Sequence, residues 1–127
     1  MTYPDIRILA RTFEGSRVDE QLRREVNLLH ANLCQALADP TRILILYALR
    51  DAPHFVSELA ESLEAPQSTV SRHLKVLRDR RLVIAERDGA AVRYSLADER
   101  VIQALDLLRA VLMSALSQQA QLADIQA

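Results

Sequence analysis

The chain has little of what breaks helices or cross-links small folds. Only two of its 127 residues are glycine, and tryptophan is absent. Scarce glycine together with abundant leucine and alanine favours helices over strands. The single cysteine, Cys34, excludes a disulfide bond within one chain, which is typical of proteins in a reducing compartment.

Long apolar runs are also missing. The longest run covers residues 43–49, far short of the roughly 20 residues that a membrane-spanning helix needs. The first residues lack the basic, apolar and small-residue segments of a signal peptide. We therefore expect a cytoplasmic protein with no membrane partner. Half of the residues are hydrophobic, which is enough for the core of one domain over residues 1–127.

Charge is distributed unevenly, although the net charge is only −1. Residues 66–95 contain seven basic and three acidic side chains and carry a net charge of +4, while the rest of the chain carries −5. A local cationic surface of this kind is typical of proteins that bind nucleic acid. The alternative is a solvated charged face with no ligand.

Apolar periodicity predicts long helices near both ends of the chain. Leucine, valine and alanine recur at steps of three and four over residues 17–38 and over residues 98–122. These helices carry more apolar surface than a small core can cover, so we expect them to form a dimer interface; packing within one subunit is the alternative. Residues 1–16 are weakly patterned, and we expect them to be loosely ordered.

The middle of the chain has the pattern of a winged helix-turn-helix. Residues 40–50 are almost wholly apolar and predict a central buried helix, with Asp39 as its N-cap. Two helices joined by a short turn are predicted over residues 57–80. Alternating residues over 82–96 around Asp88-Gly89 predict a β-hairpin. The fold class is therefore mainly α with a small β-hairpin, the wing.

The second helix of the pair is rich in hydrogen-bonding and basic side chains. Val70, Leu74 and Leu77 form its apolar stripe. Base edges in the major groove present donors and acceptors that amide, hydroxyl and guanidinium groups can read. The candidate DNA-binding residues are Gln67, Ser68, Thr69, Ser71, Arg72, His73 and Lys75 on this helix, and Arg87 and Arg93 on the hairpin.

Three blocks of the sequence resemble the ArsR/SmtB family of bacterial winged helix-turn-helix repressors. They read ADPTR over 38–42, STVSRHL over 68–74 and DGAAVRYSL over 88–96. The resemblance implies a homodimer that binds an imperfect palindromic operator in double-stranded DNA and is released by an effector. It also implies that the first and last long helices form the dimer interface.

The usual metal sites of that family are missing. Where many members have Cys-Val-Cys-Asp-Leu, this chain has Phe55-Val56-Ser57-Glu58-Leu59, so both thiolate positions are lost. Asp98 matches one ligand of the other usual site, but Arg100 stands where a histidine would follow. His30 and Cys34 share a helix face, but two ligands are too few for zinc, and we favour structural roles for both. We expect no cofactor; a metal or a thiol-reactive effector stays open.

The turn between the paired helices departs from the family pattern. Family members often have glycine there, where φ can be positive, whereas this chain has Glu64-Ala65-Pro66. A residue other than glycine in that conformation costs roughly 1 kcal/mol. We expect the fold to tolerate this cost.

Two other functions are conceivable from the sequence. A winged helix that binds protein instead of DNA would lose the cations of residues 67–75 or expose apolar groups there. An enzyme would need a catalytic set, but Ser71 and His73 point to different faces of one helix and cannot form a nucleophile–base pair. The sequence shows no glycine-rich phosphate loop, no paired carboxylates and no complete metal set, so we expect no enzymatic activity.

Overall fold

The computed structural model describes residues 17–126 of the chain. The elements in chain order are α1 (Glu20–Leu29), a π-helical turn (His30–Cys34), α2 (Pro40–Ala48), β1 (His54–Phe55), α3 (Val56–Leu63), α4 (Gln67–Asp79), β2 (Val83–Asp88), β3 (Ala91–Leu96) and α5 (Arg100–Gln126). The chain divides after Gln35 into two units. The expectation of one domain stays a prediction, and the expectation for residues 1–16 lies outside the described residues.

The first helix is shorter and less regular than the predicted helix over residues 17–38. It begins at Glu20, because the carboxylate of Asp19 accepts a hydrogen bond of 2.7 Å from the N–H of Leu22. The segment His30–Cys34 is π-helical. There the side-chain amide of Asn32 donates a hydrogen bond of 2.8 Å to the carbonyl of Leu28. In a regular α-helix this carbonyl accepts from a backbone N–H, so the side chain competes with the backbone for it. Such competition for a backbone acceptor favours a wider turn at that point.

The core of the second unit is built where three helices meet. Its fully buried large side chains are Ile45 and Leu46 of α2, Leu59 of α3, and Val70, Leu74 and Leu77 of α4. The prediction that α2 is the central buried helix is confirmed. One side of α2 remains open, however, since Leu44 is exposed although the helix is almost wholly apolar.

The wing is a three-stranded antiparallel sheet with the order β1-β3-β2. The hairpin is confirmed: Val83 pairs with Leu96 at one end and Asp88 with Ala91 at the other. Gly89 lies in the two-residue loop with a φ of +65°, which suits glycine because it has no Cβ. The sequence did not predict β1, whose two residues are too few to show an alternating pattern.

The turn after α3 has the strained conformation that the missing glycine implies. Glu64 adopts a left-handed conformation, with φ 51° and ψ 46°. The N–H of Ala65 donates to the carbonyl of Ala60 at 3.0 Å, the six-to-one bond that closes many helix C-termini. The turn thus ends α3 and starts α4 at a fixed angle, although no glycine relieves the strain.

The last helix is longer than the predicted span of residues 98–122. It begins at Arg100, whose N–H donates to the carboxylate of Asp98 at 2.9 Å, and it ends at Gln126. Its start is tied to α2, because the hydroxyl of Tyr47 donates to Asp106 at 2.7 Å and Arg109 lies over the Tyr47 ring. By length and composition alone, the stretch Arg100–Asp124 could also cross a membrane.

Much of the apolar surface of α5 is uncovered. Ile102 and Leu105, near its start, are buried. Large exposed side chains follow along the helix: Leu107, Leu108, Val111, Leu112, Met113, Leu116 and Leu122. So many exposed large apolar side chains on one helix are unusual for a monomeric soluble protein and typically mark an interaction surface.

Replacing Glu64 with glycine should stabilise the protein. Glycine adopts a left-handed conformation without the Cβ clash, so we expect Glu64→Gly to raise the free energy of unfolding by about 0.5–1 kcal/mol. Chemical denaturation monitored by circular dichroism measures this. The matched control is Ala65→Gly, which should lower the free energy of unfolding because φ is not positive there. A shift of both variants in the same direction would contradict the explanation.

Candidate nucleic-acid interface

Helix α4 has one buried side and one open side. Val70, Leu74 and Leu77 have no exposed surface and hold the helix against the core. The residues opposite this stripe are exposed: Gln67, Ser68, Ser71, Arg72 and Lys75. Thr69 and His73 are half-buried on the flanks. The structure therefore brings the predicted α4 residues onto one continuous polar surface, with two of them at its edge.

The start of α4 offers free backbone donors. Its N-cap residue is Pro66, and no side chain caps the helix within the described part of the chain. The first N–H groups of a helix lack acceptors inside the helix, and the helix dipole places partial positive charge there. An anionic oxygen can therefore be bound at this end of α4, beside the hydroxyl of Ser68.

Lys75 already has a partner on its own helix. Its Nζ lies 3.0 Å from Oδ2 of Asp79, one turn further on, and both side chains are largely exposed. Exposed pairs of this kind contribute little to stability, about 0.3–0.5 kcal/mol on a helix. Lys75 can therefore leave Asp79 and bind a DNA phosphate at a small cost in stability.

His73 contacts Arg42, which is not among the predicted DNA-binding residues. Its Nδ1 lies 3.3 Å from Nη1 of Arg42 on α2, and Nε of Arg42 donates to the carbonyl of Ala36 at 2.6 Å. Asp39 caps α2 as predicted, accepting from the N–H of Thr41 at 2.8 Å and of Arg42 at 3.4 Å. The periodicity of a single helix cannot reveal a contact between positions 31 residues apart.

Asp39 carries a stabilised negative charge in this cluster. Burial opposes its ionisation, but the backbone N–H groups of Thr41 and Arg42, with the charge of the Arg42 guanidinium, together hold the pKa of Asp39 below its usual range. A negative charge close to the guanidinium of Arg42 helps to keep that side chain in place.

The wing places its two predicted arginines on opposite faces. Arg87 pairs with Val92 and so shares a face with the buried Val83, whereas Arg93 pairs with Glu86 on the other face. Among the described residues, the side chain of Arg87 has no ion pair or hydrogen bond. Arg87 lies next to the hairpin loop, and its charge is therefore available to a ligand.

Arg93 is held by its neighbours. Its guanidinium lies 2.6 Å from Oδ2 of Asp88 and 5.1 Å from the ring centroid of Phe55. The contact with Asp88 runs diagonally across the hairpin, and the contact with Phe55 depends on strand β1. Because β1 was not predicted, the stacking of Arg93 on an aromatic ring could not be predicted from the sequence either.

The residues at the usual metal positions are engaged in other contacts. The N–H of Phe55 donates to Glu58 at 2.9 Å and, together with His54, lowers the pKa of that carboxyl group. Asp98 is bound by the guanidinium of Arg100.

The remaining metal candidates lie on the first helix. His30 and Cys34 are both exposed in its π-helical turn. Over residues 17–126, no three His, Cys, Asp or Glu side chains come close enough to share a metal ion. The absence of a cofactor stays a prediction, because only the described residues bear on it.

Comparison with known proteins matches both the sequence and the fold. Residues 39–85 match the family described as bacterial regulatory protein, arsR family. The chain is 47% identical over 96 residues to the HTH-type transcriptional regulator NmtR of Mycobacterium tuberculosis, covering 76% of this chain and 77% of NmtR.

Two solved structures show the same fold. One is the homodimeric winged helix-turn-helix DNA-binding domain Mb0332 of Mycobacterium bovis, with a TM-score of 0.67, 25% identity, and coverage of 82% of this chain and 95% of that one. The other is the cadmium metal-sensor CmtR of Mycobacterium tuberculosis, with a TM-score of 0.53, 47% identity, and coverage of 61% and 81%. The predicted fold class and the family resemblance are both confirmed.

Proposed function

The chain belongs to the arsR family of bacterial regulatory proteins, and we propose that it represses transcription as a cytoplasmic homodimer on an imperfect palindromic operator. As a member of this family it is a transcriptional regulator and not an enzyme. The observation that carries the proposal is the outward surface of α4, where amide, hydroxyl and guanidinium groups lie opposite a fully buried stripe. Such a helix fits a major groove.

Two kinds of contact contribute to the binding. The cationic segment over residues 66–95 attracts phosphates without regard to sequence, and this attraction weakens as salt rises. Gln67, Ser71 and Arg72 supply discrimination, because their groups can match the donors and acceptors of base edges. The first turn of α4 supports this arrangement by offering N–H groups to a phosphate beside the groove.

A protein-binding winged helix is a weaker explanation of the same surface. Such a surface needs apolar anchors at its centre. Among the described residues, the large exposed apolar side chains lie on other elements and none lies on α4. The polar and basic character of α4 therefore favours DNA over protein as its partner.

The proposed dimer rests on the apolar surface of α5. Leu107, Val111 and Ala115 line a shallow groove on a helix whose exposed apolar side chains continue to Leu122. The Mb0332 domain, which covers most of this chain in fold, is homodimeric. A second copy would bury this surface and place two α4 helices about 34–36 Å apart, one turn of B-DNA.

The effector should not be a metal held at the family's usual positions. Phe55 offers no ligand atom and stacks with Arg93, and Asp98 is neutralised by Arg100. The relative CmtR is a cadmium metal-sensor, so cadmium is the informative ion to titrate against an operator complex, beside zinc, arsenite and a thiol oxidant. If one of these agents releases the wild-type protein from the operator but does not release the Cys34→Ser variant, that cysteine has a sensing role.

Arg72 tests the assignment of base reading to α4. Genomic fragments bound by the full-length protein are first selected, and affinities for the best fragment and for random DNA are then measured by fluorescence anisotropy. We expect Arg72→Ala to weaken binding to the operator by about 1–3 kcal/mol and binding to random DNA by less.

The matched control is Arg78→Ala, which removes an exposed cation in the last turn of the same helix. Equal losses on both DNAs would show that Arg72 contacts only phosphate, and failure to select any fragment would refute operator binding.

The two wing arginines should behave differently. Arg87 is available to a phosphate, so Arg87→Gln should lower the slope of log affinity against log salt by about one. Arg93 is already paired with Asp88 and Phe55, so Arg93→Gln should change that slope much less. Binding isotherms over a salt series measure both variants. A larger change in slope for Arg93 would mean that it leaves Asp88 to contact DNA.

Val111 tests the dimer. It is 67% exposed on α5, and burying a carboxylate against a second apolar helix is strongly unfavourable. We expect Val111→Glu to sediment as a monomer at micromolar concentration with unchanged helix content. Gln103→Glu adds the same charge at an exposed polar position of the same helix and should remain dimeric. A wild-type protein that sediments as a monomer would refute the dimer.

A further inference from the structure

Arg42 connects the segment before α2 to the recognition surface of α4. Its Nε donates to the Ala36 carbonyl at 2.6 Å, and its Nη1 lies 3.3 Å from Nδ1 of His73. Ala36 is almost completely buried, so the first of these bonds anchors the guanidinium to the core. The planar guanidinium then directs its other N–H groups along fixed directions, one of them toward His73.

The chemistry of this contact determines which ring nitrogen of His73 carries the proton. A guanidinium has only donors and stays protonated in proteins. The partner atom Nδ1 must therefore be the acceptor, which leaves the proton of the neutral ring on Nε2. We propose that Arg42 positions His73 and fixes its tautomer, so that the edge of α4 offers DNA an Nε2–H donor.

This donor suits a phosphate at the rim of the groove. His73 lies on the flank of α4, half-buried, and not opposite the stripe of Val70, Leu74 and Leu77. Side chains beside a recognition helix commonly contact phosphate oxygens, which only accept hydrogen bonds. The opposite tautomer would present a lone pair to the phosphate and repel it. Arg42 thus acts through another residue and is a positioning residue, without itself reaching the DNA.

The free protein supplies the first test. Nitrogen-15 chemical shifts of the imidazole ring distinguish the two neutral tautomers at alkaline pH. We expect His73 of the wild type to be more than nine-tenths in the Nε2–H form, and expect the preference to fall in Arg42→Met, which keeps the aliphatic stem but loses every donor. A wild-type ring that carries its proton on Nδ1, or an unchanged preference in Arg42→Met, would overturn the proposal.

Operator binding supplies the second test. Because a neutral donor displaces no counterion, we expect Arg42→Met and His73→Ala each to weaken operator binding about five- to tenfold with little change in the salt slope. The double variant should lose no more than either single variant, because both changes remove the same contact. Additive losses, or a salt slope lowered by about one in Arg42→Met, would show that Arg42 itself binds phosphate and would refute the proposal.

Two controls separate charge from geometry. Arg50→Met removes the same charge from an exposed arginine that pairs only with the adjacent Asp51 among the described residues, and it should bind like the wild type. Arg42→Lys keeps the charge but has all its donors on one nitrogen, so it cannot reproduce the two contacts that Nε and Nη1 of Arg42 make, and it should show most of the loss. Full affinity in Arg42→Lys would show that charge alone matters and would overturn the proposal.

The binding test rests on the proposed operator binding, and the two can fail separately. A wild type that selects no DNA refutes operator binding, and with it the proposed contact of His73 with phosphate, whatever the tautomer. If the wild type binds its operator but the losses of affinity in the Arg42 and His73 variants are additive, only the role of Arg42 is refuted. Thermal unfolding of every variant identifies losses of affinity that come from loss of fold.

Discussion

The burial of three side chains of α4 determines what this protein can present to a ligand. Val70, Leu74 and Leu77 are fully enclosed by the core, so rotation of the helix about its axis would expose apolar surface, at roughly 25 cal/mol for each Å². The polar residues between them therefore face outward in one fixed direction. The left-handed turn at Glu64 and the packing of α2 hold the same helix at its start and along its flank.

Charge on this molecule acts locally. The overall charge of −1 would give little attraction to DNA at long range, yet the segment from the α4 entry to the end of the wing carries +4. At physiological salt the Debye length is about 8 Å, so a phosphate at α4 is affected mainly by the charges nearest to it, and the net charge of the whole chain is a poor guide to its attraction.

Local sequence patterns predicted most of the fold. The spacing of Val70, Leu74 and Leu77 indicated which side of α4 is buried, and Asp88-Gly89 marked the hairpin loop. These features depend on neighbours within a few positions along the chain, which periodicity and turn chemistry report. The surface residues of α4 could be assigned for the same reason.

Features that depend on distant or very short segments could not be predicted. The contact of Arg42 with His73 joins two helices, and the stacking of Arg93 on Phe55 needs a strand of two residues. The π-helical turn at His30–Cys34 interrupts an otherwise regular pattern beside a hydrogen bond from the Asn32 side chain. Hydrophobic periodicity contains no information on such contacts, and only the folded chain reveals which arginine is available and which is held.

The uncovered apolar length of α5 has a consequence for how such a regulator responds to its own abundance. If two protomers must meet before either can occupy an operator, occupancy at low copy number rises with the square of the protomer concentration and not in proportion to it. By mass action, repression of the target gene then depends steeply on the protomer concentration. A modest fall in synthesis of the regulator, or a modest rise in its degradation, would relieve repression sharply without any small molecule.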